Sequence, residues 1–251
     1  IMSKKLAAGA DAIVLDVKTG SGAFMKEEKD AKALAEEMVK LGKNAGRKTI
    51  AVLSDMDQPL GYAVGNALEV KEAIETLKGH GPKDFTELCM TLGSQMLIAG
   101  GKASDTDEAL EKLQRVIEDG SALRKLADFV EAQGGNPEAV YHTELLPKAS
   151  LIHEVKSPAE GYIGHIACDE VGVCSLILGG GRETKESEID LSVGIVLQKK
   201  VGDAVKEGDT LAVIHANSSE KLAEAEKRYL AACTFISTEP AKTPFIKEII
   251  V

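Results

Sequence analysis

Ala12-Ile13-Val14-Leu15-Asp16-Val17 is a short, almost continuous apolar run. A strand with one wet face alternates in polarity. A run like this reads as a strand buried on both faces, the habit of parallel sheets. A glycine loop follows it, Thr19-Gly20-Ser21-Gly22-Ala23. Residues 27–42 then place Ala31, Leu34, Ala35, Met38 and Leu41 at helical spacing, and Gly46 marks the end of that helical region. Thr49 to Leu53 is a second buried strand. Strand, helix and strand make a βαβ unit, which commits the first half of the chain to a parallel sheet with a right-handed crossover.

Beyond Asp55 comes a turn-rich loop, Met56-Asp57-Gln58-Pro59-Leu60-Gly61, and then a helix from Asn66 to Leu77. Gly79-His80-Gly81-Pro82 breaks the chain again. Residues 84–99, 105–118 and 121–133 are helical by spacing, and Asp107 and Glu108 suit the first turn of the middle one. Gly134-Gly135-Asn136-Pro137 marks a change of character. From Leu151 the chain is β-rich and glycine-rich to about His215, then closes with a helix from Glu220 to Ala232 and a strand from Phe245 to Val251. The expected organisation is an α/β domain over 11–149 and a β-rich domain over 150–251, with the boundary near 134–150. Ile1 to Ala8 is helix-like but has no N-cap in front of it, so residues 1–10 read as the remnant of a further helical domain.

The composition fits a folded protein: 251 residues, 44% hydrophobic, are enough for a core in one or two domains. The net charge is −10, with no basic stripe to attract a phosphate backbone, so no nucleic-acid partner is expected. No apolar run approaches the ~18 residues of a membrane span, and residues 1–10 lack the apolar core of a signal peptide. Cys89, Cys168, Cys174 and Cys233 show no CxxC spacing. They read as reduced, mostly buried thiols of a cytosolic protein, with Cys168 and Cys174 placed to face each other across a hairpin.

The stretch Ile1-Met2-Ser3-Lys4-Lys5-Leu6-Ala7-Ala8-Gly9-Ala10-Asp11-Ala12, with Asp16-Val17-Lys18-Thr19-Gly20-Ser21-Gly22-Ala23-Phe24-Met25 after the first strand, carries the strongest signal. It resembles the pyrimidine-nucleoside phosphorylase and thymidine phosphorylase family, and the resemblance continues through the rest of the chain. In that family the first lysine of the Ser-Lys-Lys element contacts the pyrimidine, which implies that role for Lys4. Cleaving the glycosidic bond leaves negative charge on the base, and a positioned ammonium stabilises that charge where it develops. Phe24 matches an apolar residue near the pyrimidine ring, where an aromatic side chain packs against a planar base. A core phenylalanine after a tight turn is the other reading of Phe24. The loop at 19–23 is neither a Walker loop nor a full GxGxxG, so it reads as close backbone approach to a cleft and not as the phosphate site.

The resemblance also implies a potassium ion held by the carbonyls of Leu60 and Ala63 and the carboxylate of Glu72, an oxygen shell of the kind hard cations take. His80, His142, His153, His165 and His215 show no metal spacing, and no chemistry is assigned to them. The family's arginine, serine, phosphate loop and remaining potassium ligands would all precede Ile1. The chain alone is therefore expected to bind potassium weakly, to show no turnover, and to expose apolar patches.

Gly202-Asp203-Ala204-Val205-Lys206-Glu207-Gly208-Asp209-Thr210-Leu211, with Ser157-Pro158-Ala159-Glu160-Gly161-Tyr162-Ile163, resembles the hammerhead of lipoyl and biotinyl carrier domains. It implies a barrel-sandwich hybrid over the second domain, as the phosphorylase family also has. Carriers need a modified lysine in the following hairpin, and Ile214-His215-Ala216-Asn217-Ser218 offers none. The combined expectation is a homodimeric cytoplasmic pentosyltransferase. It would release free base and an α-pentose 1-phosphate from thymidine, deoxyuridine or uridine, with phosphate as co-substrate. An anthranilate-phosphoribosyltransferase-like enzyme would not need residues 151–251. A non-catalytic interaction or carrier domain is the other alternative, and the empty lysine position argues against its carrier version.

Overall fold

The computed structural model covers residues 1–251. In chain order the elements are α1 (Met2–Ala7), β1 (Ala12–Thr19), α2 (Glu28–Asn44), β2 (Lys48–Asp55), β3 (Ala63–Val64), α3 (Asn66–Leu77), α4 (Lys83–Ala99), α5 (Thr106–Glu118), α6 (Ser121–Ala132) and α7 (Glu138–Tyr141). A single 3-10 turn at Thr143–Leu145 leads to β4 (Leu151–Lys156), β5 (Gly161–Ile166), α8 (Cys168–Leu178), β6 (Gly194–Leu197), β7 (Ala204–Val205), β8 (Thr210–Ala216), α9 (Ser219–Ala232), β9 (Cys233–Ile236) and β10 (Ile246–Ile250). The chain divides into two compact units. One takes Ile1–Met56, Lys83–Ser121 and Pro244–Val251, and the other takes Asp57–Pro82 and Ala122–Thr243.

The first unit holds a three-stranded sheet in the order β1-β2-β10. β1 and β2 pair in parallel from Ala12↔Lys48 to Thr19↔Asp55, as the βαβ pattern requires. β2 is central, and every residue from Thr49 to Ser54 is buried, which is why its sequence does not alternate. α2 covers one face, bringing Ala31, Ala35, Met38 and Val39 onto Ile13, Leu15, Val17 and Leu53. Gly42 sets how closely α2 approaches, since a Cβ there would lie 2.0 Å from the Thr49 hydroxyl oxygen. α4 packs on β1 and β2, and α5 packs on α4.

The second unit holds two antiparallel sheets, β3-β6-β8-β4 and β7-β5-β9. Val155, Ile163, Ile166, Ile195, Leu197 and Leu211 from the strands share one core with Val171 and Leu178 of α8 and with Ala225 and Tyr229 of α9. α3, α6 and α7 form a smaller cluster around Ile74, Ala127 and Val140.

Two expectations change. The contiguous division at 134–150 is not how the chain packs. β10, the last strand, pairs with β2 in the first unit, while β3 and α3 belong with the second because β3 pairs with β6. Each displaced piece supplies a strand edge with its ladder, and hydrogen-bonded pairing outweighs order along the chain. The second change is α8. Val171-Gly172-Val173-Cys174-Ser175-Leu176-Ile177-Leu178 lies in the stretch expected to be β-rich, has no polar stripe and carries β-branched residues. It forms a helix, with Asp169 and Glu170 in its first turn and Gly179 capping its end at φ 107°. Cys168 and Cys174 therefore lie on one helix, six residues and about 9 Å of rise apart, not across a hairpin. Both are free and buried, as is Cys233, while Cys89 is exposed. No helix is long and apolar enough to cross a membrane.

Candidate functional site

In the first unit the chemistry gathers where β1 and β2 end. α1 buries Met2 in the core and leaves Lys4 and Lys5 exposed on adjacent positions, about 100° apart around the helix. Phe24 is 94% exposed, so it is not a core phenylalanine. A cleft of about 480 Å³ is lined by Lys5, Asp16, Lys18, Phe24 and Met25 among others. The structure thus brings Phe24 together with Lys5, and Lys4 does not line that cleft.

The cleft contains a network that the sequence reading did not single out. Lys18 Nζ lies 2.7 Å from Asp16 Oδ2 and donates to Ser54 Oγ at 3.0 Å, while Ser54 Oγ donates to Asp16 Oδ1 at 2.6 Å. Lys18 Nζ also stands 6.0 Å from the centre of the Phe245 ring. Asp16 and Lys18 are two apart on a strand and so share a face. That spacing was the available signal. The loop at 19–23 spends its donors on its own backbone. Gly20 N–H reaches Met25 O at 3.2 Å, Gly22 N–H reaches Met56 O at 2.9 Å and Ala23 N–H reaches Gly20 O at 3.0 Å. Donors engaged in this way do not form an anion cradle.

In the second unit Glu72 closes on the loop that carries Leu60 and Ala63. Glu72 Oε1, on α3, accepts from Tyr62 N–H at 2.8 Å and from Ala63 N–H at 3.0 Å. Leu197 N–H donates to Tyr62 O at 2.8 Å, and Ala63 stands opposite Val196. In an antiparallel pair the polar groups of alternate residues face the partner strand. Ala63 is the intervening residue, so its carbonyl points off the free edge of β3. Gly61, at φ 65°, passes so close to the carboxylate that a Cβ there would be 2.1 Å from Glu72 Oε2. From the other side Lys200 Nζ donates to the carbonyls of Pro59 and Gly61, the latter at 2.7 Å. It stands 5.7 Å from the Tyr62 ring centre. Nothing in the sequence marked Lys200, one of two lysines before a turn.

The hammerhead-like segments do pair. Ser157 exchanges backbone bonds with Gly208 and Asp209 at 2.9 and 2.8 Å, and Ile163 with Gly202 and Asp203 at 2.8 and 3.0 Å. The stretch after the motif is no hairpin: β8 ends at Ala216, and Ser218 caps α9 by accepting from Lys221 N–H. A cleft of about 660 Å³ lies beside this sheet, with Lys71, Glu72, His80 and His215 in its lining. Burial, helped by the Lys71 ammonium, pushes the His215 imidazole below its usual range. No group of three His, Cys, Asp or Glu side chains is placed to hold a metal ion.

Residues 1–123 match the family described as glycosyl transferase family, a/b domain, and residues 162–235 match the pyrimidine nucleoside phosphorylase C-terminal domain. The chain is 54% identical over 244 residues to a pyrimidine-nucleoside phosphorylase of Geobacillus stearothermophilus, covering 97% of this chain and 56% of that protein. It is 59% identical over 217 residues to the Staphylococcus haemolyticus (strain JCSC1435) protein of the same name, and 57% identical over 217 residues to that of Bacillus subtilis (strain 168), covering 86% of this chain and 50% of each relative. It spans about half the length of the curated relatives it matches. With similarity at this level across both units, the chain belongs to the pyrimidine-nucleoside phosphorylase family.

Proposed function

We propose that this chain contributes one edge of the base pocket to a pyrimidine-nucleoside phosphorylase that converts thymidine, deoxyuridine or uridine and phosphate into free base and α-pentose 1-phosphate. The observation that carries this reading is the 54% identity sustained over 97% of the chain to a protein of that name. A phosphate oxygen bonds to C1′ as the bond from C1′ to the base nitrogen breaks, and the electron pair leaves with the base. Charge then accumulates on the pyrimidine carbonyl oxygens. Lys4, exposed on α1, carries an ammonium to meet that charge. Phe24 presents a bare ring beside the end of β1, where a planar base can pack.

The same reading places potassium at the Leu60 and Ala63 carbonyls and the Glu72 carboxylate. Two features support the fit: the donors are all oxygens, and the Ala63 carbonyl leaves β3 on its free edge, away from β6. Bound there, potassium supplies a fixed positive charge that braces the loop. The family resemblance also carries a homodimer and a cytoplasmic location.

The test is phosphorolysis of thymidine and uridine, with free base separated by chromatography. This chain would be assayed alone and joined to the N-terminal half of the Geobacillus relative, with Lys4 intact or as Lys4→Met. The chain alone is expected to release no base. The joined protein is expected to turn over, and Lys4→Met to cost roughly 10²–10³-fold in kcat. Full activity with Lys4→Met would remove Lys4 from the pocket, and release by the chain alone would mean that phosphate binds within these residues.

A further inference from the structure

We infer that Lys200 is the positioning residue of the potassium loop, and that presenting it is the work of the hammerhead-like turn in this chain. The inference rests on the potassium reading above and adds to it a residue from another part of the sequence. The turn resembles that of a carrier domain, yet the lysine a carrier would modify is absent. What the turn does offer is Lys200 at its entrance.

The backbone around Lys200 is held on several sides. Lys200 N–H donates to Asp203 Oδ2 at 2.8 Å, and Asp203 N–H returns to Lys200 O at 3.0 Å. Gly202 and Asp203 are tied to Ile163 of β5. Val201 N–H donates to the Gln58 side chain at 3.0 Å, which fixes the turn against the start of the loop. From this base the ammonium reaches the carbonyls of Pro59 and Gly61, and it lies near the face of Tyr62.

The consequence is stereochemical. A cation that collects the carbonyls of Pro59 and Gly61 pins the peptide groups before and after Leu60, and so limits how the Leu60 carbonyl between them can turn. Glu72 takes the N–H groups of Tyr62 and Ala63. Lys200 thus fixes the peptide groups on either side of the Leu60 carbonyl, and Glu72 fixes those whose N–H groups belong to Tyr62 and Ala63. An outer partner that orients ligands in this manner is commonly worth about 10–100-fold in metal affinity.

The test is a potassium titration of the melting temperature of the 251-residue chain, held at constant ionic strength with tetramethylammonium chloride. Lys200→Met and Lys200→Arg are compared with Lys199→Met, a change to the neighbouring lysine, which bonds only within its own turn and to Asp209. The expected result is a potassium midpoint at least about tenfold higher in Lys200→Met, partial recovery in Lys200→Arg, and no shift in Lys199→Met. Circular dichroism shows whether each variant is folded before titration. A Lys200→Met protein that melts lower but keeps the wild-type midpoint would overturn the inference and leave potassium in place. A lower midpoint in Lys200→Met would overturn it too, because the ammonium would then be competing with the ion. No potassium response in the wild-type chain would end both readings.

Discussion

The Lys247 ammonium lies 2.8 Å from the Asp55 carboxylate, with the two side chains only 11% and 18% exposed. The pair joins the end of β2 to β10. The ladder between these strands runs Ile246↔Ser54 and then Glu248↔Leu53, so Lys247 is the extra residue of a bulge. A bulge re-aims a side chain, and here it turns Lys247 toward Asp55. Removing Lys247 takes an opposite charge away from Asp55 in a largely buried site. Lys247→Met is expected to cost about 3 kcal/mol in a urea titration. The double variant Asp55→Asn with Lys247→Met should recover much of that loss. A Lys247→Met protein as stable as wild type would mean that β10 is held by its ladder alone.

Glu108 gives a pH prediction. It sits at the start of α5, where the Lys112 ammonium, the Ser104 N–H and the Ser104 hydroxyl all favour its charged form and pull its carboxyl from 4.5 to about 2. Asp105 caps the same helix by accepting from Glu108 N–H at 2.9 Å. A carboxyl depressed in the folded state stabilises the fold above its unfolded pKa, and that stability is lost as pH falls through the folded value. The contribution is therefore whole above about pH 5 and gone near pH 2. The melting-temperature gap between wild type and Glu108→Gln should be constant above that window and close within it. A gap independent of pH would mean that the carboxylate does not hold the cap.

The thiols provide a reactivity prediction. Burial pushes Cys174 up to about 12 and Cys233 up to about 11, and Cys168 is buried in the same unit. Thiolate is the reactive form, so these three should resist a maleimide at pH 8 in the native state. Burial also raises the Cys89 thiol, but Cys89 is the one cysteine exposed at the surface, so a reagent can reach it. Mass spectrometry is expected to find a single label per native chain, on Cys89, and four after denaturation. Rapid labelling of Cys174 would contradict the packing of α8 on α9.

How much of this was legible in the sequence depends on the range of the interaction. β1, α2 and β2 were readable because their apolar spacing is local; β2 is buried on both faces as its apolar run implies, whereas β1 buries one face and leaves Asp16 exposed, with Val14 and Lys18 half-buried, on the other. α8 was misread because a helix inside a core has no polar stripe, and the periodicity argument then has nothing to detect. The return of β10 to β2 and the pairing of β3 with β6 join segments far apart in the chain, and no local pattern specifies a partner. The site divides in the same way. Leu60, Ala63 and Glu72 lie within one loop and the helix after it, so a family resemblance could carry all three. Lys200 reaches that loop from 139 residues away, with nothing but two adjacent lysines to mark it. The Asp16–Lys18 pair was in principle visible, because a carboxylate and an ammonium two apart on an otherwise apolar strand share a face.

Gly61 offers the sharpest single-atom test of the potassium loop. Its φ of 65° disfavours any residue with a Cβ, and the added carbon would fall 2.1 Å from Glu72 Oε2. The carboxylate cannot retreat without releasing the N–H groups of Tyr62 and Ala63, which it accepts at 2.8 and 3.0 Å. Gly61→Ala should therefore combine backbone strain with the loss of these bonds, about 2–3 kcal/mol together. Glu72→Gln is the informative companion, because an amide nearly matches the carboxylate in size and keeps an acceptor for those N–H groups. On the potassium reading, Glu72→Gln should leave stability without added salt close to wild type and abolish the potassium-dependent rise in melting temperature. Gly61→Ala should lower both. If Glu72→Gln kept the full potassium response while Gly61→Ala lost it, the carboxylate would be a scaffold for the loop and not a ligand, leaving any ion to the carbonyls alone.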